Sequence, residues 1–164
     1  MKRNLLFALS LLLCMSALSL VLTACGSKDE PIDTNLTQEF VVKGEITSQD
    51  GNFIKGEAGL NDPNSNEYKF YKAIYDQVTT IIKAQVWKVS FKADEKSQKM
   101  KEQEEIANQR FTAMVKALDD VQKKLNQTDK DAYKCHFSMT IEMTATGERE
   151  IRSGQKTLKY AGNE

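Results

Sequence analysis

The stretch that decides the fold reads YKCHFSMTIEMTA and covers residues 133–145. Its odd positions, from Tyr133 to Ala145, are apolar, and its even positions are polar or charged. A period of two is typical of a β-strand with one face on a hydrophobic core and the other face in water. We therefore expect an antiparallel sheet whose second face is open to solvent.

Weaker strand patterns lie on both sides of this stretch. Upstream, an apolar–polar alternation begins at Phe40, and a second alternation covers residues 87–93. Downstream, a turn that contains glycine separates the central stretch from residues 149–160, which are the predicted last strand. Together these segments predict a sheet of several strands.

A hairpin is predicted after the first of these strands. The segment DGNFI at residues 50–54 begins with Asp-Gly, a pair that tolerates the positive φ angles of a tight turn, and residues 53–57 are the expected return strand. The segment VKGEI at residues 42–46, followed by DGNFI and then by Gly56, resembles the opening hairpin of carboxypeptidase-regulatory-like β-sandwich domains, which are common in Bacteroidetes surface proteins. The resemblance covers the hairpin alone, because helical patterns follow where that family continues with strands.

Two helices are predicted between the strands. Asn64 and Glu67 have the spacing of a capping box at the start of a helix over residues 65–83. Its apolar stripe consists of Tyr71, Ile74 or Tyr75, Val78, Ile81 and Ile82. A second helix is predicted over residues 94–126, where apolar side chains from Phe111 onward are spaced alternately by three and four residues. This spacing fits a short coiled coil or an amphipathic helix on a sheet, and we favour the sheet because only about two heptads are sustained.

The predicted element order is β-β-α-β-α-β-β. It corresponds to an α+β domain over residues 38–161, in which a mainly antiparallel sheet carries two helices on one face. The length of this segment is that of a single domain with one modest core.

The first residues have the pattern of an export signal. Lys2 and Arg3 precede an apolar run over residues 5–22, and small residues then lead to Cys25. The sequence LTAC at residues 22–25 resembles the lipobox of bacterial lipoproteins. The resemblance implies that residues 1–24 are removed and that Cys25 carries diacylglycerol. An uncleaved N-terminal helix is the alternative, because the apolar run is about long enough to span a bilayer.

Residues 25–37 are polar and are predicted to be a flexible tether. Within it, KDE at residues 28–30 looks like the charged signal that sends lipoproteins to the cell surface in Bacteroidetes, although an ordinary solvated linker has the same composition. We expect a protein held outside the cytoplasm by the lipid on Cys25, with the outer membrane or cell surface favoured. An envelope protein or a glycan is the expected partner.

Charge and cysteine content restrict the possible chemistry. Of the 23 basic residues, Lys2 and Arg3 lie in the signal, so the remaining chain carries 21 basic against 23 acidic residues. This balance gives no reason to expect nucleic-acid binding. Because Cys14 leaves with the signal and Cys25 is expected to be acylated, Cys135 is the only free thiol expected, and we interpret it as a buried apolar residue.

Candidate site residues are few. The single histidine, His136, lies on the polar face of the central strand without ligand-spaced His or Cys neighbours, so we expect no metal, no cofactor and no catalytic residues. A small hydrolase that uses His136 with Cys135 or Glu142 is the less favoured possibility. Aromatic side chains that fall partly off the helix stripe, or just after it, are the candidates for a ligand or carbohydrate platform: Tyr68, Phe70 and Trp87.

The sequence therefore predicts a membrane-anchored envelope lipoprotein with a non-enzymatic binding or accessory module. The alternative is a structural or assembly subunit that pairs through a free strand edge or a helix face.

Replacement of Cys25 by alanine tests the predicted anchor. Each buried methylene contributes about 0.8 kcal/mol to membrane binding, and several acyl chains together hold a protein stably. In Cys25→Ala, we expect the protein to leave the membrane fraction or to remain as an uncleaved precursor, as measured by cell fractionation and intact mass. Normal cleavage and membrane retention of this variant would show that the lipid prediction is wrong.

Overall fold

The computed structural model describes residues 35–50 and 62–163, all of which fall within one compact unit. The strands are β1 (Leu36–Asp50), β2 (Gln85–Phe91), β3 (His136–Thr146) and β4 (Glu150–Ala161), and the helices are α1 (Asn66–Ile81) and α2 (Lys96–Gln127). Short 3₁₀ helices cover Ala93–Glu95 and Lys130–Ala132. The predicted export signal, Cys25 and the return strand at 53–57 lie outside the described residues.

The four strands form one antiparallel sheet in the order β2-β1-β3-β4. Strand β1 is central: its first half pairs with β2 on one side, and its second half pairs with β3 on the other. Strand β3 lies between β1 and β4 and pairs with β4 along its whole length. The predicted α+β class with a mainly antiparallel sheet is confirmed.

Burial along β3 follows the alternation of the sequence. All odd positions from Cys135 to Ala145 are buried, and the even positions from His136 to Thr146 are half-buried or exposed. Buried side chains from both helices belong to the same core cluster as these strand residues. The two helices therefore cover one face of the sheet, as predicted, and the other face is polar.

The two helices begin close to the predicted positions. The N-cap of α1 is Ser65, whose Oγ accepts a hydrogen bond from the backbone N–H of Tyr68 at 3.1 Å, so the predicted cap at Asn64 is one residue too early. Instead, the Asn64 N–H is bound by the side chain of Asp62 at 2.9 Å. Because an Asx turn already engages residues 62–64, the helix starts one residue later.

Helix α2 lies on the sheet as the second helix was predicted to do. Its buried side chains are spaced by three or four residues: Ala107, Phe111, Met114, Leu118, Val121 and Leu125. Each contributes to the core shared with β3 and β4, so the seam packs on a sheet and not on a partner helix. Within the described part of the chain, neither α1 nor α2 combines the length and the hydrophobicity needed to cross a membrane.

Strand β1 is longer than predicted at both ends. It begins at Leu36, so the predicted tether over residues 25–37 overlaps the strand by two residues. It also continues through residues 48–50, which pair with β3. A register shift between Ile46 and Ser48 accommodates one extra residue. The predicted Asp-Gly turn continues at residue 51, outside the described residues.

A close contact joins the end of α1 to the centre of the sheet. The backbone N–H of Gly44 donates to the carbonyl of Ile82 at 3.0 Å. A Cβ atom on Gly44 would lie 2.8 Å from the Cβ of Ile82, closer than two carbon atoms can approach. The absence of a side chain at Gly44 therefore lets the end of α1 sit directly against β1.

Alanine at two glycine positions provides a matched test of this contact. In Gly44→Ala, the new methyl group overlaps Ile82, and we expect the free energy of unfolding to fall by about 1–3 kcal/mol. In Gly154→Ala, the new methyl group would lie 3.7 Å from Phe111 Cζ, which is ordinary van der Waals contact. This control should be neutral or stabilised by up to about 1 kcal/mol, because alanine costs less conformational entropy than glycine. Urea unfolding of both variants measures the difference, and equal effects would contradict the close-contact interpretation.

Candidate binding cleft

An open cleft lies where β3 begins and β4 ends, and its volume is about 510 Å³. Strands β3 and β4, the last turns of α2 and the second 3₁₀ helix supply its walls. Its lining residues are Gln122, Asn126, Lys130, His136, Phe137, Ser138, Thr157, Lys159, Tyr160 and Ala161. Volumes of this order are typical of pockets that hold small molecules.

His136 is the first residue of β3 and lies on the polar face of the sheet. The alternation that buries Cys135 and Phe137 points the imidazole away from the core. Its Nε2 atom is shielded from solvent, and no group among the described residues forms a hydrogen bond with it. The imidazole of His136 thus lines the cleft, while its Nε2 atom is covered by the protein.

A side chain of α2 forms hydrogen bonds with the backbone at the outer edge of β4. The Gln122 Oε1 accepts a hydrogen bond from the Lys159 backbone N–H at 2.8 Å, and the Gln122 Nε2 donates to the Lys159 carbonyl at 3.0 Å. The same Nε2 also donates to Asn126 Oδ1 at 3.0 Å. The carboxamide thus takes the place of a neighbouring strand and fixes α2 relative to the cleft.

Next to the cleft, the last described residues connect the start of β3 to the second 3₁₀ helix. The Gly162 N–H donates to the Cys135 carbonyl at 2.7 Å, and the Asn163 N–H donates to the Lys130 carbonyl at 3.1 Å. A Cβ atom on Gly162 would lie 2.0 Å from the Tyr133 carbonyl oxygen, so only glycine fits there. These contacts hold Lys130 beside the start of β3.

The lining of the cleft is positively charged. Lys130 and Lys159 are both exposed, and neither belongs to an ion pair within residues 35–50 and 62–163. The acids next to Lys130 are engaged elsewhere: Asp129 accepts from the Asp131 N–H at 3.0 Å, and Asp131 accepts from the side-chain amide of Asn163. The cleft therefore offers two ammonium groups and no carboxylate among its lining residues.

Two of the three candidate aromatic residues are packed in the structure, at opposite ends of the sheet. Phe70 stacks on Tyr133 with ring centroids 4.5 Å apart and contacts Tyr160 at 5.0 Å. Trp87 stacks on Phe40 at 5.6 Å, and its Nε1 donates to Gln103 at 2.9 Å. The Arg110 guanidinium also lies 4.1 Å from the centroid of the Trp87 ring.

The structure therefore does not bring the three candidate aromatic residues together into one platform, and a ligand role for any one of them stays a prediction. Trp87 lies near the end of β3 and Phe70 near its start, roughly 30 Å apart at about 3.3 Å per strand residue. Tyr68 is half-buried in the first turn of α1, where its backbone N–H completes the cap. The three side chains do not share a surface, since each is placed by a different part of the core.

The residues of the possible hydrolase are not brought together. Cys135 lies on the buried face, where burial raises the pKa of its thiol to about 11. Glu142 is on the same face as His136 but six residues along β3, about 20 Å away, and it accepts a hydrogen bond from Gln155 at 3.1 Å. Across the described ranges, no three His, Cys, Asp or Glu side chains are close enough to hold a metal ion.

A second cavity, of about 540 Å³, lies at the opposite end of the sheet between the β3–β4 turn and the start of α2. An ion pair of 2.8 Å between Lys96 Nζ and Glu148 Oε1 crosses it, and Arg149 lies 3.9 Å from Glu104. These contacts pair four of its charged groups, and its lining as a whole carries three basic and three acidic residues. The His136 cleft, whose lysines are unpaired, is the better candidate for a ligand.

Comparison of the chain with protein-family models, with curated proteins and with solved structures gives no match. The cleft is therefore identified by the geometry of its own residues. Sequence reasoning placed His136 on the polar face correctly, but it missed Gln122, Lys130 and Lys159. No local signal marks them, because 37 positions separate Gln122 from its partner Lys159.

The reactivity of the Cys135 thiol tests whether this side chain lies on the buried face of the sheet. A pKa of about 11 instead of 9.0 leaves about a hundredfold less thiolate at mildly alkaline pH, and the thiolate is the reactive species. In a chain with Cys14 and Cys25 replaced by serine, we expect alkylation of Cys135 to be at least a hundredfold slower in the folded protein than in urea. The rate of iodoacetamide labelling, followed by mass, measures this ratio. Equal rates would mean that Cys135 is accessible and that the strand faces are assigned wrongly.

Proposed function

We propose that the chain is a lipid-anchored protein of the bacterial envelope whose exported α+β domain binds a ligand without transforming it. Two independent features support this proposal. The anchor is supported by the sequence LTAC at residues 22–25, after a basic start and an apolar run. The binding role is carried by the His136 cleft. In the proposed arrangement, the lipid on Cys25 holds the domain at the outer membrane or cell surface.

The cleft favours binding because its polar groups converge without forming a proton-transfer pair. Around His136 are two ammonium groups, the hydroxyl groups of Ser138 and Thr157 and the carboxamide of Asn126, which can hold a ligand by hydrogen bonds. General acid–base or nucleophilic catalysis would need a nucleophile or carboxyl group within hydrogen-bond reach of the imidazole. Cys135 faces the core and Glu142 lies far along the strand, so neither supplies it.

An assembly subunit is the second candidate, and one observation favours it. The outer edge of β2 has no neighbouring strand in the described sheet, and Val86 on that strand is 54% exposed. An exposed strand edge can pair with an extended segment of another protein. However, Lys88 lies at the middle of the strand, and a charged residue there opposes edge-to-edge pairing. We therefore favour the binding role of the cleft over the assembly role of the β2 edge.

Photo-crosslinking in intact cells tests the proposed binding role and separates the two candidates. A photo-reactive phenylalanine analogue is placed at Thr157, an exposed residue that lines the cleft. The matched control carries the analogue at Ser153, which is exposed on the same face of the same strand but lies outside the cleft. A third variant carries it at Val86 on the edge of β2.

We expect a defined adduct from Thr157 and none from Ser153, detected by mass spectrometry of the purified chain. An adduct from Val86 alone would favour the assembly subunit. Equal labelling from Thr157 and Ser153, or no adduct from Thr157, would overturn the proposal that the cleft is the binding site.

A further inference from the structure

We infer that the His136 cleft binds an anionic saccharide, meaning a sugar that carries a carboxylate or a similar anionic group. This inference rests on the proposed function, because it names the ligand class of the same cleft. It follows from the charge of the lining, from the neutral polar groups between the charges and from the direction of the nearby aromatic rings.

Charge gives the first argument. Lys130 approaches the cleft from the second 3₁₀ helix and Lys159 from the edge of β4, so the two ammonium groups come from different elements. Neither has an acidic partner within the described ranges, whereas the nearby Lys156 is paired with Asp119. Asp129 and Asp131 are held by amide donors. An anionic group in the cleft would therefore meet two ammonium groups that form no ion pair among the described residues and can donate charge-assisted hydrogen bonds.

The neutral groups give the second argument. Ser138 and Thr157 present hydroxyl groups on the polar face, and Asn126 presents a carboxamide from α2. Hydroxyls and amides both donate and accept, which matches the hydroxyl groups of a sugar. A simple inorganic anion would leave most of these groups unused.

The aromatic rings give the third argument and distinguish a charged sugar from a neutral one. Stacking on an exposed ring is a common way to bind the apolar face of a neutral sugar. Phe137 and Tyr160 belong to the cleft lining, but both are buried on the helix face, where their rings stack on each other at 5.6 Å. Because no described lining residue offers an exposed ring, recognition depends on charge and hydrogen bonds.

Calorimetric titration of the detergent-purified full chain tests this inference with three probes. Glucuronate carries both the hydroxyl groups and the carboxylate, glucose carries the hydroxyl groups alone, and acetate carries the carboxylate alone. We expect glucuronate to bind at least tenfold more tightly than either of the others. Added salt should weaken this binding, since charged contacts are screened.

Variants of the cleft identify the residues that carry the binding. Lys159→Ala and Lys130→Ala should each weaken glucuronate binding by about ten- to hundredfold, the range for loss of a hydrogen bond to a charged group. The matched control is Lys123→Ala, which removes an exposed lysine of α2 that lies outside the cleft and faces Asp120 at 3.4 Å. It should bind as the parent does, and thermal unfolding should be unchanged in all three variants.

The outcomes separate this inference from the proposed function. If glucose binds as well as glucuronate, the anionic requirement is wrong, and if acetate binds as well, the saccharide requirement is wrong. If none of the probes binds but Thr157 still gives a specific adduct in cells, the ligand class is wrong and the binding role stands. Equal weakening in Lys123→Ala would show that net charge, and not the cleft, controls binding.

Discussion

The rest of the structure depends on the pairing of β1 with β3. Strand β3 supplies an unbroken row of buried side chains on one face, and β1 lies beside it with Phe40 and Val42 on the same face. Because the side-chain period of a strand is two, a shift of one residue between these strands would turn a whole apolar row into solvent. The buried row therefore fixes the register, and the register in turn fixes where α1, α2 and β4 can pack. The cleft at the end of the sheet depends on the neighbouring register of β3 with β4, which places His136 beside Ala161 at the end of β4.

Much of this fold can be predicted from sequence because the strongest signals are periodic and local. The alternation over residues 133–145 and the three–four spacing along α2 each describe a single buried face, and both faces are buried as expected. The differences arise where a contact of the folded chain decides the outcome. Strand β1 extends to residue 50 because its last residues pair with β3. The start of α1 moves to Ser65 through a local contact, because Asp62 already engages the Asn64 N–H.

The site is less predictable than the fold, and the aromatic residues show why. Composition alone suggested that Phe70 and Trp87 were available to a ligand, yet each ring is packed against side chains that lie far along the sequence or on another element. The two lysines of the cleft show the opposite error. From the sequence, Lys130 and Lys159 are ordinary solvated residues, and only the folded sheet brings their elements together. A binding cleft made of polar surface residues carries no periodicity, so only the tertiary structure can identify it.

The central position of β1 has a consequence for the order of folding. The first strand in the sequence needs β3 as its neighbour, and contacts between them join residues 93 positions apart, such as Thr47 and Thr140. When the chain is synthesised from its N-terminus, the middle of the sheet therefore cannot form until the last third of the chain is available. Pairings of such long sequence separation slow folding, since a large loop must be ordered before any contact forms. If the chain is exported in an extended form, as we propose, this delay keeps the domain from closing before transport is complete.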